Sequence, residues 1–300
     1  MKTIQSPFLY LKIYQDFKQI TKAGLAISVV FSSIAGYLLG FDNTNPFSWT
    51  TLLVLTIGGY CMVGASNAFN QVIEKDLDSL MDRTKNRPVP SGRMSANNAL
   101  FVASFLTIIG LILLYFINPK TAMFGAISIF LYTSLYTPLK TITPLSVFVG
   151  AFPGAIPFML GWVAATDHFG IEAGTLFLIQ FFWQFPHFWA IGWFLFEDYE
   201  KAGFFMLPTG KKDTKTATQI ILYTLWLIVT SLIPYFGYTG KLQISFPSAI
   251  LVFLIGIWML LYAVKLYHAR TPKAARALML VSVSYITLLQ IIYITDKFLR

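Results

Sequence analysis

The strongest constraint on this chain is the recurrence of apolar runs long enough to cross a lipid bilayer. They lie at roughly 25–41, 50–73, 98–117, 121–138, 144–165, 173–196, 217–238, 246–266 and 274–295, and a spanning helix needs about 20 such residues. In hydrocarbon every backbone N–H and C=O must find a partner within the chain, so runs of this length dictate helices. Composition agrees: 56% of the 300 residues are hydrophobic and 12% charged, against about 25% charged in soluble domains. The expected fold class is all-α, a polytopic membrane bundle of about nine helices over residues 25–296. Residues 1–24, basic and amphipathic, read as a cytoplasmic, interfacial segment and not as a signal peptide, because they lack a long apolar core and a cleavage site.

Charge placement supports that count. With the N-terminus in the cytoplasm and the spans alternating, all of the 22 lysines and arginines except Lys120, Lys241, Lys297 and Arg300 fall on the cytoplasmic side. This is the positive-inside pattern, and one helix more or fewer would scramble it. The net charge of +9 therefore belongs to short loops beside lipid, and a nucleic-acid groove is excluded. Cys61 is the only cysteine, so no internal disulfide forms, and no Cys/His cluster suggests zinc or iron–sulfur chemistry.

The acids are concentrated too. Asn70, Glu74, Asp78 and Asp82 are spaced four apart, which on a helix places them on one face. Stacked carboxylates repel one another, and the arrangement makes sense where a cation bridges them. Mg²⁺ takes one or two carboxylates together with waters and substrate phosphates. Arg83, Lys85 and Arg87 follow at once and supply cations for a phosphate. Asp82 is included in the candidate metal set.

Two further segments end on the same side. Tyr136 and Lys140 close the fourth span, where Lys140 is the lone charge between Lys120 and Asp167. A snorkelling lysine is the plain alternative, and contact with a diphosphate oxygen is the functional one. Asp198 closes the sixth span in a Glu197–Asp198–Tyr199–Glu200 cluster, where it could hold a second metal. His187 lies within that aromatic span, as a buried structural histidine or a contact for a large planar ligand. The two acidic loops, each after an even-numbered span, hint at two four-helix halves plus a final helix.

The residues resemble a family at this point. Asn70–x3–Glu74–x3–Asp78 followed by Arg83-Thr-Lys-Asn-Arg87-Pro is similar to the first acidic motif of the UbiA superfamily of membrane prenyltransferases, and Tyr136-Thr-Pro-Leu-Lys140 to its tyrosine–lysine element. Within it, residues 82–88, 136–162 and 183–208 resemble the heme O synthases. Two departures stand out: Glu74 replaces the usual Asp, and Asp198 is followed four residues later by Ala202 and not by a second Asp.

The resemblance implies an inner-membrane enzyme with cytoplasmic active-site loops that joins farnesyl diphosphate to the vinyl group of heme b, with Mg²⁺ as cofactor. It implies catalytic roles for Asn70, Glu74, Asp78, Lys140 and Asp198. It places diphosphate contacts at Arg83, Lys85, Arg87, Tyr136 and Lys140, heme contact at His187, and metal contacts at Asn70, Glu74, Asp78, Asp82 and Asp198. Heme A synthase and terminal-oxidase assembly proteins enter as partners to consider. The rivals are a UbiA-type enzyme with another aromatic or quinone-precursor acceptor, and an ion-coupled transporter. A transporter would be expected to carry its charges near the membrane midplane.

Overall fold

The computed structural model describes residues 7–300. It is all-helical among these residues. In chain order the helices are α1 (Pro7–Ile20), α2 (Ala23–Gly40), α3 (Trp49–Ile73), α4 (Lys75–Leu80), α5 (Ala96–Ile117), α6 (Pro119–Phe130) and α7 (Thr137–Leu139). They continue with α8 (Ser146–Thr166), α9 (Ile171–Phe194), α10 (Phe196–Lys201), α11 (Thr214–Leu232), α12 (Phe246–Ala269) and α13 (Pro272–Leu299). A π-helical turn, Leu131–Tyr136, joins α6 to α7, and a 3₁₀ turn, Ile233–Phe236, extends α11. The protein is a multi-pass membrane protein.

Polar residues set the starts of these spans. Ser48, Ser95, Asn118, Asp213 and Thr271 each accept a backbone N–H from the first turn of the helix that follows. Prolines in the first turns of α6, α12 and α13 fit where no intrahelical N–H is needed. Eight helices among the described residues are long and apolar enough to cross a membrane, counting α6 through α7 as one and α11 with its 3₁₀ turn as another. The ninth expected span is α9, 24 residues long. Two glutamines, a histidine, a proline and three tryptophans reduce its apolarity, and its neighbours α8, α11 and α13 cover it.

Sequential neighbours pack in both halves: α2 on α3, α3 on α5 and α5 on α6, then α8 on α9, α9 on α11 and α11 on α12. The halves meet where α2 crosses α8. A Cβ on Gly161 would lie 1.9 Å from the Ser33 carbonyl oxygen, and one on Gly36 2.0 Å from that of Phe158. Only glycine permits this approach of backbone to backbone, the usual means of tight helix contact in lipid. α13 closes the bundle against α2, α9 and α12. Within the membrane its Gln290 amide donates to Ser32 Oγ at 2.9 Å and to Gln180 Oε1 at 3.5 Å. At its end Lys297 donates to the carbonyls of Leu38, Leu39 and Phe41, satisfying the C-terminus of α2.

The four exceptions to the charge asymmetry all have partners. Lys120 pairs with Asp167 at 3.2 Å, Lys241 with Asp42 at 2.6 Å and Arg300 with Asp296 at 2.8 Å, while Lys297 caps α2. The Lys241 contact also holds the Asp42 carboxyl below its ordinary pKa.

Candidate active site

The site starts at the junction of α3 and α4. Glu74 leaves helical geometry slightly (φ −97°, ψ 12°), yet the i to i−4 ladder continues through it. The Glu74 N–H donates to the Asn70 carbonyl at 2.9 Å and the Asp78 N–H to the Glu74 carbonyl at 2.7 Å. Asn70, Glu74 and Asp78 therefore share one face as their spacing predicts, and all three are buried. Asp82 does not share it. The helix ends at Leu80, Met81 is extended (φ −94°, ψ 132°), and Asp82 is exposed.

Each buried acid has a cation. Lys140 Nζ lies 2.7 Å from Glu74 Oε1, with both side chains at least nine-tenths buried. Arg87 Nη1 lies 2.8 Å from Asp78 Oδ2. Burial opposes the charge on Lys140, but Glu74 outweighs it and holds the pKa above the ordinary lysine value. The π-helical turn places Lys140. The Thr137 hydroxyl donates five residues back to the Tyr132 carbonyl at 2.8 Å, stabilising the widened turn, and the Asn70 amide donates to the same hydroxyl at 3.4 Å. Lys140 Nζ then lies 4.6 Å from the centre of the Tyr136 ring and 5.5 Å from that of Phe204. Gly150 leaves room for the ring, since a Cβ there would come within 2.5 Å of it.

Asp82 and Asp198, expected beside a metal, are engaged elsewhere. Asp198 Oδ1 accepts the Asp82 N–H at 2.8 Å and Oδ2 the Arg83 N–H at 3.2 Å. Asp82 pairs with Lys201 at 2.5 Å and Lys85 at 2.6 Å, which together lower its pKa to about 2. Arg83 faces Tyr199, with its guanidinium carbon 5.6 Å from the ring centre.

His187 sits in α9, about two turns in from the end that meets this polar site. It stacks on Trp183 at 4.5 Å, and its Nδ1 lies 2.8 Å from Ser282 Oγ. Ser282 Oγ itself donates to the Met279 carbonyl at 2.7 Å, so it accepts from the histidine. That fixes the Nδ1–H tautomer and leaves the Nε2 lone pair unprotonated. Much of the aromatic content of α9 packs on α8 and α11, as in Phe181 on Phe152 at 5.1 Å and Phe185 on Tyr223 at 4.4 Å.

One cation of the site escapes sequence reasoning. Lys22, between α1 and α2, adopts left-handed backbone geometry (φ 46°) that a β-carbon disfavours. Amides from α3 hold the turn: Asn67 donates to the Thr21 carbonyl at 3.1 Å, and Gln71 to those of Gln19 and Ile20 at 3.0 and 3.2 Å. The half-buried side chain lies within electrostatic reach of the two acid–cation pairs. Desolvation lowers its pKa to about 7, with Arg87 and Lys140 pushing the same way and Glu74 and Asp78 opposing. In sequence it is one more lysine before a span, indistinguishable from a snorkelling residue.

Against this geometry, residues 29–288 match the sequence pattern of the UbiA prenyltransferase family. The chain belongs to that family. It is 77% identical over 288 residues to a protein from Flavobacterium johnsoniae named protoheme IX farnesyltransferase, covering 96% of each chain. Its fold is similar to that of a digeranylgeranylglyceryl phosphate synthase, with a TM-score of 0.76 at 18% identity over 94% of this chain and 98% of the other. It is also similar to a UbiA homologue from Archaeoglobus fulgidus solved with GPP and Mg²⁺, with a TM-score of 0.67 at 12% identity over 93% and 99%. For a family of prenyltransferases the donor set is apt. Among the described residues no group of three or more His, Cys, Asp or Glu is arranged to hold a metal. Two carboxylates and an amide are what Mg²⁺ takes when substrate phosphates complete its shell.

Proposed function

We propose that the protein transfers the farnesyl group of farnesyl diphosphate to a vinyl group of heme b, with addition of water, to give heme O. The observation that carries this reading is the 77% identity, across nearly the whole chain, to a relative named protoheme IX farnesyltransferase. The buried, cation-paired acids of α3 and α4 support the diphosphate end. The His187 Nε2 lone pair supports a heme contact.

Asn70, Glu74 and Asp78 would hold Mg²⁺, as a UbiA homologue of the same fold holds it together with GPP. When bound, the ion neutralises diphosphate charge and favours its departure. Lys140 and Arg87, which neutralise the two acids in the free protein, would turn to the diphosphate oxygens. Lys22, Arg83, Lys85 and Tyr136 would assist. As the C1–O bond breaks, its electron pair leaves with the diphosphate, and these cations stabilise the growing charge. The vinyl π pair forms the new carbon–carbon bond. Water adds to the remaining vinyl carbon and loses a proton to solvent. No protein nucleophile is required. The excess of basic residues on the site's side supports a mouth that faces the cytoplasm.

The test is mass spectrometry of hemes from membranes expressing the chain. Asp78→Ala should abolish heme O while membrane insertion stays normal. Normal heme O from that variant would refute the site. His187→Ala should weaken heme binding more than farnesyl diphosphate binding, and equal losses would remove the heme contact.

A further inference from the structure

The two halves kink alike. α3 is followed by Glu74 (φ −97°, ψ 12°) and α9 by Leu195 (φ −103°, ψ 18°), and a six-residue helix comes next in each. Aligning the kinks sets Leu195 against Glu74, Tyr199 against Asp78 and Ile191 against Asn70. No residue of the second half matches a metal-binding position of the first, and Asp198 falls in the phase of Leu77. Its oxygens are engaged as well. Oδ1 accepts the Asp82 N–H at 2.8 Å and Lys201 Nζ at 3.4 Å, and Oδ2 accepts the Arg83 N–H at 3.2 Å. Two consecutive backbone N–H groups on one carboxylate form an anion-binding cradle filled from within the protein. Lys201 joins Asp82 to Asp198, and Arg83 Nη2 meets the Tyr199 hydroxyl at 3.4 Å. From the clamped turn the chain runs directly into the site. Thr84 Oγ1 donates to the Asp78 carbonyl at 2.7 Å, and the Arg87 N–H donates to the Thr84 carbonyl at 2.9 Å.

We propose that Asp198 is a positioning residue that clamps the Asp82–Arg83 turn of the first half to α10 of the second, setting Arg83 and Arg87 over the diphosphate, and that it is not a metal ligand. The inference rests on reading the Glu74–Asp78 face as the diphosphate site. It accounts for the missing second acid at Ala202: a clamp needs one carboxylate aimed at two N–H groups, where a metal site symmetric with the first would need two acids in phase with the kink.

The experiment uses full-length protein in nanodiscs, with spin labels at Asn86→Cys and Glu200→Cys in a Cys61→Ser background. Pulsed EPR distances between the labels report the clamp without any turnover. Asp198→Ala should broaden the distance distribution and raise KM for farnesyl diphosphate about tenfold, the loss expected for a charge-assisted contact. The Mg²⁺ half-saturation should stay within about twofold, since the metal shell is intact. Asp198→Glu, which keeps an acceptor, should recover part of both effects. A Mg²⁺ half-saturation raised tenfold with unchanged distances would overturn the proposal, as would no change in either quantity. Should Asp198→Ala fail to fold, the otherwise unsubstituted labelled protein decides. Mg²⁺ alone should leave its distances unchanged, and a shift would mean the metal draws Asp198 out of the clamp. A wild type that made no heme O would sink the proposed function while leaving the distance result standing.

Discussion

The Glu74–Lys140 pair carries opposite charges into a place where neither is stable alone. Removing one partner of a buried pair typically costs about 3–5 kcal/mol, whereas replacing both with groups of similar shape is often near neutral. Glu74→Gln should therefore lower the unfolding temperature in detergent and abolish turnover. Adding Lys140→Met should restore much of the stability and none of the activity. Full additivity of the two changes in thermal unfolding would mean the pair does not interact. Lys22 allows a different separation. Asparagine tolerates left-handed geometry, so Lys22→Asn should keep the turn and the melting temperature while raising KM for farnesyl diphosphate several-fold. An unchanged KM would remove Lys22 from the site. The four-residue spacing revealed Asn70, Glu74 and Asp78 because one helix carries all three. It misled at Asp82, because the helix ends at Leu80, Met81 is extended, and the Asp82 N–H is held by Asp198 of α10, 116 residues away. Spacing within one segment contains no information about such a partner.

At the scale of elements, span boundaries were legible to within a few residues, because length and apolarity are themselves the physical cause of membrane helices. α9 was legible as the apolar run 173–196, and the charge asymmetry supported counting it as a span. The π-helical turn was not. One extra residue per turn leaves no periodic mark in a run as apolar as 121–138, and only Pro138 hints at a break. The turn and Gly150 together set the Tyr136 ring against Lys140. Gly150→Val should displace that ring, reduce farnesyl transfer by an order of magnitude or more and leave membrane insertion unchanged. Retained activity would show that the ring is not needed there.

At the scale of the molecule, the α2–α8 crossing depends on Gly36 and Gly161. Gly161→Ala should destabilise the protein by about 1–3 kcal/mol through overpacking, read as a lower unfolding temperature. The loss should be larger than for Gly174→Ala, where a Cβ would meet nothing within 4 Å. The association of the two halves was foreshadowed only by the paired acidic loops, since helix contacts made by glycine carry no hydrophobic signature. The cytoplasmic orientation read from basic residues is open to cysteine labelling. A reagent confined to the cytoplasmic side should modify Lys212→Cys and not Lys241→Cys in a Cys61→Ser background, and the reverse pattern would invert the assignment.

The contact between α13 and α2 has a consequence for biogenesis. A ribosome delivers these helices in order, so α2 waits in the membrane through the synthesis of every intervening span before Gln290 reaches Ser32 and Lys297 reaches the open carbonyls of Leu38 and Leu39. Until then the polar faces of α2 and α9 stand without their counterparts in a solvent that offers none. The nascent protein is therefore an open arc with its earliest membrane helix unsealed. A cell that loses synthesis late, by a stalled ribosome or a frameshift before Gln290, would accumulate an inserted chain recognisable to membrane quality control by those unmatched groups.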